Sequence, residues 1–157
     1  YSVSRMKMNS KFTEEQVNGG EFYPSNFDKP HDIIFVSNYK LNRRFSFSTS
    51  VNYSTGRPIT YPVASYVFKG KTLLYYSNRN EYRVPDYFRT DLSVNIESNL
   101  KSKKISHSYW SISFYNLTGR DNVYSVFFRN NQKGELNGYQ MSIFPRPLVT
   151  ISYNIKF

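Results

Sequence analysis

The stretch FSFSTSVNYSTGRP, Phe45 to Pro58, decides the fold. Phe45, Phe47, Thr49, Val51 and Tyr53 fall on one side of a period-two pattern, and Ser46, Ser48, Ser50, Asn52 and Ser54 on the other. Such alternation marks a β-strand with two unlike faces. A soluble barrel and a membrane barrel write it with opposite meanings, so the side that meets water decides what the protein does.

The same rule recurs outward from this stretch. Phe88, Thr90, Leu92, Val94 and Ile96 alternate with Arg89, Asp91, Ser93, Asn95 and Glu97, and Val149, Ile151, Tyr153, Ile155 and Phe157 with Thr150, Ser152, Asn154 and Lys156. Strands are expected from Tyr1 to about Asn9, Asp32 to Leu41, Phe45 to Thr55, Phe88 to about Asn99, Tyr109 to Phe128 and Tyr139 to Phe157. A smaller hairpin, YVFKGKTLLYY (Tyr66 to Tyr76), is expected to fold around Gly70 and Lys71. Gly119 and Arg120 interrupt the fifth strand and are expected to form a bulge. No segment shows helical periodicity, and there is no repeat or interdomain linker.

The connections alternate in length. NRR and LKSKKISH are short; Ser10 to His31, Gly56 to Tyr87 and Arg129 to Gly138 are longer. An antiparallel meander gives this rhythm when one end carries tight turns and the other extended loops.

Composition narrows the class. The 157 residues include 15 Tyr, 13 Phe and one Trp, so aromatics reach 18% against a hydrophobic share of only 39%, which favours strands. The longest apolar run is IIFV, Ile33 to Val36, too short for a helix to cross a bilayer core of about 30 Å. A membrane barrel spreads its lipid-facing residues over alternate positions and shows just such weak hydropathy. The absence of cysteine excludes disulfides and thiolate metal sites. An opening YSVSRMKM, with neither signal peptide nor initiator Met, is expected of the middle of a longer protein.

A net charge of +10 suits an anionic partner or a set of loop cations. Arg43, Arg44, Lys101, Lys103 and Lys104 lie in the short turns, and Lys69, Lys71, Arg79 and Arg83 in the longest loop. That spread is not a nucleic-acid stripe, and no nucleic-acid partner is expected.

The polar face supplies the orientation. A soluble surface is typically about 25–35% charged, whereas Ser46, Ser48, Ser50, Asn52 and Ser54 are small and neutral, as in a hydrated interior. Aromatics bracket the apolar faces: Phe45 and Tyr53, Phe88, Trp110, Tyr153 and Phe157. Rings at both boundaries of an apolar band form the girdles of a membrane barrel. The core of a β-sandwich is the alternative use for them.

No catalytic chemistry is expected. His31 and His107 stand far apart, Glu14 and Glu15 would point to opposite faces of a strand, and no nucleophile elbow or phosphate loop is present. Neither metal nor cofactor is expected. The triplets NYS and NLT match the glycosylation pattern, which chance often supplies.

Two resemblances follow. Val149, Ile151, Tyr153, Ile155 and Phe157 together resemble the C-terminal signature by which the bacterial barrel-assembly machinery recognises outer-membrane proteins. The blocks YPSNFDKPHDIIFVSNYKLNRRFSFSTSVNYSTGRPITYP, YRVPDYFRTDLSVNI, SISFYNLTGRDNVYSVFF and LVTISYNIKF resemble the C-terminal barrel segment of TonB-dependent receptors of the Bacteroidota type. This likeness runs from about Phe22 to the end. It implies an all-β, antiparallel transmembrane barrel segment in the bacterial outer membrane. Residues 1–157 would supply about six C-terminal strands of a barrel of about 22, with the C-terminus on the periplasmic side.

The implied activity is import of a scarce nutrient, such as a siderophore, glycan or peptide, driven through TonB. The implied partners are the rest of the receptor barrel and its plug, the TonB complex reached through an N-terminal region, the barrel-assembly machinery, a surface lipoprotein and the lipid bilayer. Neither plug nor TonB box lies in this sequence. Tyr61, Tyr66, Tyr75, Tyr76, Arg79 and Arg83 are the candidates for ligand or partner binding, and Arg89 and Asp91 are expected to face the lumen. A non-transporting outer-membrane barrel acting as a structural or assembly partner is the alternative. A soluble β-barrel or sandwich binding module is the third.

Overall fold

The computed structural model describes residues 5–6, 16–98, 107–131 and 136–156. In chain order its strands are β1 (Arg5–Met6), β2 (Tyr23–Pro24), β3 (Asp32–Lys40), β4 (Phe45–Ser54), β5 (Pro58–Ile59), β6 (Pro62–Phe68) and β7 (Lys71–Tyr76). Then follow β8 (Tyr82–Arg83), β9 (Tyr87–Glu97), β10 (His107–Tyr115), β11 (Val123–Asn130), β12 (Leu136–Ser142) and β13 (Leu148–Lys156). The only described helix is a 3₁₀ turn at Val17–Gly20. The fold is all-β, with antiparallel pairing. The chain divides into two compact units.

The sheet unit comprises Ile33–Tyr53, Phe88–Asn122 and Ile143–Phe157. Its five strands run in the order β13-β10-β9-β4-β3. The β3–β4 hairpin closes where Asn42 Oδ1 accepts the N–H groups of Arg44 and Phe45, both at 2.8 Å. A short polar side chain thereby substitutes for backbone in the tight turn. Leu41 N–H bonds Phe45 O at 3.1 Å and Thr55 N–H bonds His31 O at 2.9 Å. The two pairs are equally spaced along both strands, so the register between them is unbroken. Glu97 N–H donates to Arg44 O at 2.8 Å, which sets Phe45 opposite Ile96 and Phe47 opposite Val94. Across β9, β10 and β13, Leu92, Phe114 and Val149 form one row, and Ile96, Trp110 and Tyr153 another.

Several sequence expectations need correction. The strand expected from Tyr109 to Phe128 is two strands. β10 stops before Asn116, whose φ of 51° is left-handed, and β11 pairs instead with β12. Gly119 and Arg120 belong to that turn rather than to a bulge, and the irregularity lies between Val123 and Ser125. The strand expected from Tyr139 to Phe157 breaks at 143–147, where Pro145 and Pro147 lack the N–H a ladder needs. Among the described residues five strands make up the sheet, and these do not close on themselves. The basic residues Lys101, Lys103 and Lys104, Glu14 and Glu15, and most of the first expected strand lie outside the described residues.

The loop unit comprises Tyr1–Asp32, Ser54–Tyr87 and Val123–Ser142. It holds the β6–β7 and β11–β12 ribbons and the short pairings β1–β2 and β5–β8. The β6–β7 turn is centred on Lys69 and Gly70, with φ of 48° and 75°, one residue earlier than expected. Two positive φ values make it the mirror-image turn that matches strand twist.

Among the described residues the sheet is covered on neither face: β4 and β9 are half-buried at apolar and polar positions alike, and β13 is largely exposed. Among the described residues the buried hydrophobic side chains are Tyr23 and Val84, both in the loop unit. The sheet unit buries Asn116 and Asn122 while exposing Trp110, Val149, Ile151, Tyr153 and Ile155.

Candidate functional site

The register sorts the sheet into two walls. One carries Phe47, Leu92, Val94, Ile112 and Ile151. The other carries Ser48, Ser93, Ser113, Ser111, Ser152 and Thr150, with Ser93 directly opposite Ser113 and their hydroxyls 2.9 Å apart. A recess of about 250 Å³ lies in the sheet, lined mainly by this hydroxyl wall, including Ser48, Ser50, Ser93, Ser113 and Asp91. Edge strand β3 departs from the alternation: its IIFV run places Ile34 and Val36 on the hydroxyl wall, both well exposed, and Val36 borders the recess.

Arg89 and Asp91 share the hydroxyl wall with Ser93. Arg89 Nε donates to Asp91 Oδ2 at 3.0 Å, and Arg89 Nη1 to the Tyr115 hydroxyl at 2.7 Å. Asp91 Oδ1 accepts the N–H of Asn116 at 3.0 Å. Asn116, 1% exposed, spends its side-chain amide on the Arg120 and Phe144 carbonyls, both at 3.0 Å. A carboxylate on the wall thus caps the end of β10 and, through one asparagine, holds the segment entering β13. Arg89 and Asp91 compensate each other here, and the same face also carries Glu97 at the end of β9 and Lys40 at the end of β3.

The six loop candidates do not gather into one pocket. Arg83 is committed to structure: Nη1 donates to the Asp28 and Gly56 carbonyls at 3.0 and 2.9 Å, and Nη2 pairs with the Asp28 carboxylate. The Asp28 side chain is 2% exposed and that of Arg83 32%. Arg79 contributes backbone, exchanging N–H and C=O bonds with the Asn18 amide at 2.7 and 3.0 Å. Tyr61 lies between Tyr82, at 4.1 Å between ring centroids, and Phe128, stacked at 5.6 Å. The hydrogen bond with Tyr61 raises the Tyr82 pKa above the ordinary phenol value, aided by the charges of that phenol and of Glu81. Tyr66 and Tyr75 stand exposed on one face of the β6–β7 ribbon, and Tyr76 is exposed as well.

Sequence reasoning missed what ties these loops together. Asn80, 5% exposed, donates its N–H to Thr60 Oγ1 at 2.9 Å and its side-chain amide to Pro24 O at 2.7 Å and Asn26 Oδ1 at 2.6 Å. Gly56 donates to Asp86 Oδ1 at 2.9 Å, and a Cβ at Gly56 would overlap the Val84 carbonyl. Glycine is required there by close backbone approach rather than by dihedral angle. Of the C-terminal group, Val149, Ile151 and Tyr153 extend the apolar wall opposite Phe114, Ile112 and Trp110; Ile155 shares their face, and Phe157 is outside the described residues. Trp110 and Tyr153 contact each other at 4.7 Å between centroids. Comparison with family models, curated proteins and solved structures returns no match.

Proposed function

We propose that the chain is the C-terminal wall of an outer-membrane β-barrel that imports a nutrient as a TonB-dependent receptor, with no catalytic residues of its own. The observation that carries the membrane part is the sheet's apolar wall, which no described residues cover. A Leu, Val, Ile and Trp wall left half-exposed along β9 and exposed along β13 is costly in water, at about 25 cal/mol per Å² of apolar surface. In hydrocarbon that cost is absent.

Strand length supports the same reading. The sheet strands β3, β4, β9, β10 and β13 have 9, 10, 11, 9 and 9 residues. A tilted transmembrane strand needs about 9–11, whereas soluble strands usually have about 5 or 6. The transport part rests on the sequence resemblance together with a hydroxyl wall suited to a watery lumen. In this reading the described Arg89–Asp91 pair stays neutral toward passing solute, and the apolar wall from Phe47 to Ile151 meets acyl chains.

Arginine substitution tests the orientation. In the whole receptor, Leu92→Arg or Val94→Arg should cost about 2–4 kcal/mol of folding stability, and Ser93→Arg far less. The folded fraction in outer membranes, read by heat-modifiable electrophoretic mobility, reports it. Equal damage on both walls would refute the membrane assignment. Uptake assays that compare energised cells with protonophore-treated cells test transport. A correctly inserted barrel with no energy-dependent uptake would leave the non-transporting alternative.

A further inference from the structure

The β6–β7 hairpin leaves large apolar side chains exposed, as the β11–β12 ribbon does at Tyr124, Phe127, Tyr139 and Met141. Tyr66, Phe68, Leu73 and Tyr75 share one face, and Val67 lies on the other. On the first face Tyr66, Phe68 and Tyr75 are 51, 55 and 63% exposed, and on the second Val67 is 72% exposed. The ring-bearing face is therefore apolar and bare, and Val67 stands bare on a second face shared with Ser65, Thr72 and the half-buried Leu74, in a ribbon that is marginal in water by itself. Between Pro62 and Tyr76 there are two Lys and no acidic residue. Both lysines sit at the tip, and Lys69 Nζ lies 5.5 Å from the centre of the Phe68 ring.

We propose that this hairpin docks in the phosphate-bearing lipid headgroup layer of the outer leaflet, its rings at the acyl boundary and Lys69 and Lys71 on lipid phosphates. The proposal rests on the outer-membrane reading above. The connection that carries the hairpin leaves β4 and rejoins β9 at the end of the sheet opposite the Asn42 turn, which in that reading is the external rim. Three features select lipid over protein. A protein surface covers one face of a ribbon, whereas fluid lipid covers both. Tyrosine and lysine each pair an apolar body with a polar end, which suits an interface. The uniformly positive tip complements phosphate. The ribbon's outer N–H and C=O groups need hydrogen-bond partners, so it lies among headgroups and water and not in hydrocarbon.

The test uses the whole receptor in vesicles of phosphatidylglycerol or phosphatidylcholine with brominated acyl chains. This segment has no cysteine of its own, so Thr72→Cys and Ile151→Cys, each in a background without other thiols, carry a bimane label on the hairpin and on the sheet's apolar wall. Docking predicts quenching of both labels in phosphatidylglycerol, with the hairpin label less quenched in phosphatidylcholine or high salt. Lys69→Asn with Lys71→Gln, where Asn tolerates the left-handed backbone, should lower the docked-to-undocked ratio about 25-fold, about fivefold per lysine. The Ile151 label should not change. Quenching at Ile151 without quenching at Thr72, whether the hairpin is solvated or covered by protein, overturns the docking and spares the barrel. Quenching at neither position overturns both. Thr72 quenching indifferent to headgroup charge and to both lysines overturns the phosphate interaction.

Discussion

At Arg83, one guanidinium joins two stretches of chain that are 55 residues apart. Asp28 gives it a carboxylate and a carbonyl, and Gly56 a second carbonyl. Removing the acid while keeping the base strands a partly buried cation, a change far worse than deleting both. With Arg83 about one-third exposed, Asp28→Ala should cost about 1–2 kcal/mol, less than for a fully buried pair. Amide exchange should quicken in 80–86 and leave β9 and β10 as they were. Uniform acceleration through the sheet would show that the pair supports more than the loop. Nothing in the sequence announced this pair, because distant partners leave no periodic trace. Arg83 was legible as a polar loop residue, and its structural use was not. Asn116 was similarly hidden: its triplet reads as a surface motif, yet its side chain is fully committed inside the turn.

Elements were legible in proportion to how strictly they alternate. β4 and β9 were readable almost residue for residue, since each places unlike residues on its two faces throughout. β3 was found, but the facing of Ile34 and Val36 was not, because a continuous apolar run carries no phase. The β10 end and the β12–β13 break had signals available in NLTGRDN and in Pro145 and Pro147. A longer apparent alternation overrode them. At the β6–β7 turn the glycine was evident and its place was not: Gly70 reads naturally as the first of two central residues, yet it is the second, and Lys69 adopts the unfavourable dihedral. Replacing Lys69 by Gly should therefore stabilise the hairpin by about 0.5–1 kcal/mol, and Gly70→Ala should destabilise it by about 1 kcal/mol. Exchange rates of the Phe68 and Thr72 amides provide the measurement. Opposite signs at the two positions are expected, and equal signs would contradict the turn type.

At the scale of the whole molecule there are two units: a sheet whose apolar wall no described residues cover, and loops stitched by buried polar contacts. That arrangement separates two kinds of stability. Hydrogen-bonded loop segments hold themselves through Asn80, Asp28 and Arg83. The sheet depends on its surroundings for Leu92, Ile112 and Ile151. In the membrane reading, extraction into water should thus cost the sheet its order before the Asp28–Arg83 contact opens. Amide exchange followed in lipid vesicles and after dilution out of them tests that order; loss of the loop first would count against the division.

The outer sides of β3 and β13 have a final consequence. Each is a row of backbone donors and acceptors with no described strand beside it, and neither is blunted by a proline within its span. Made by itself at high concentration, the 157-residue chain would offer two such rows to its own copies, and head-to-tail recruitment of one by the other has no geometric stop. Fibrous, dye-binding aggregates are what two open edges of this kind seed, and supplying pairing strands in trans is the remedy the geometry prescribes.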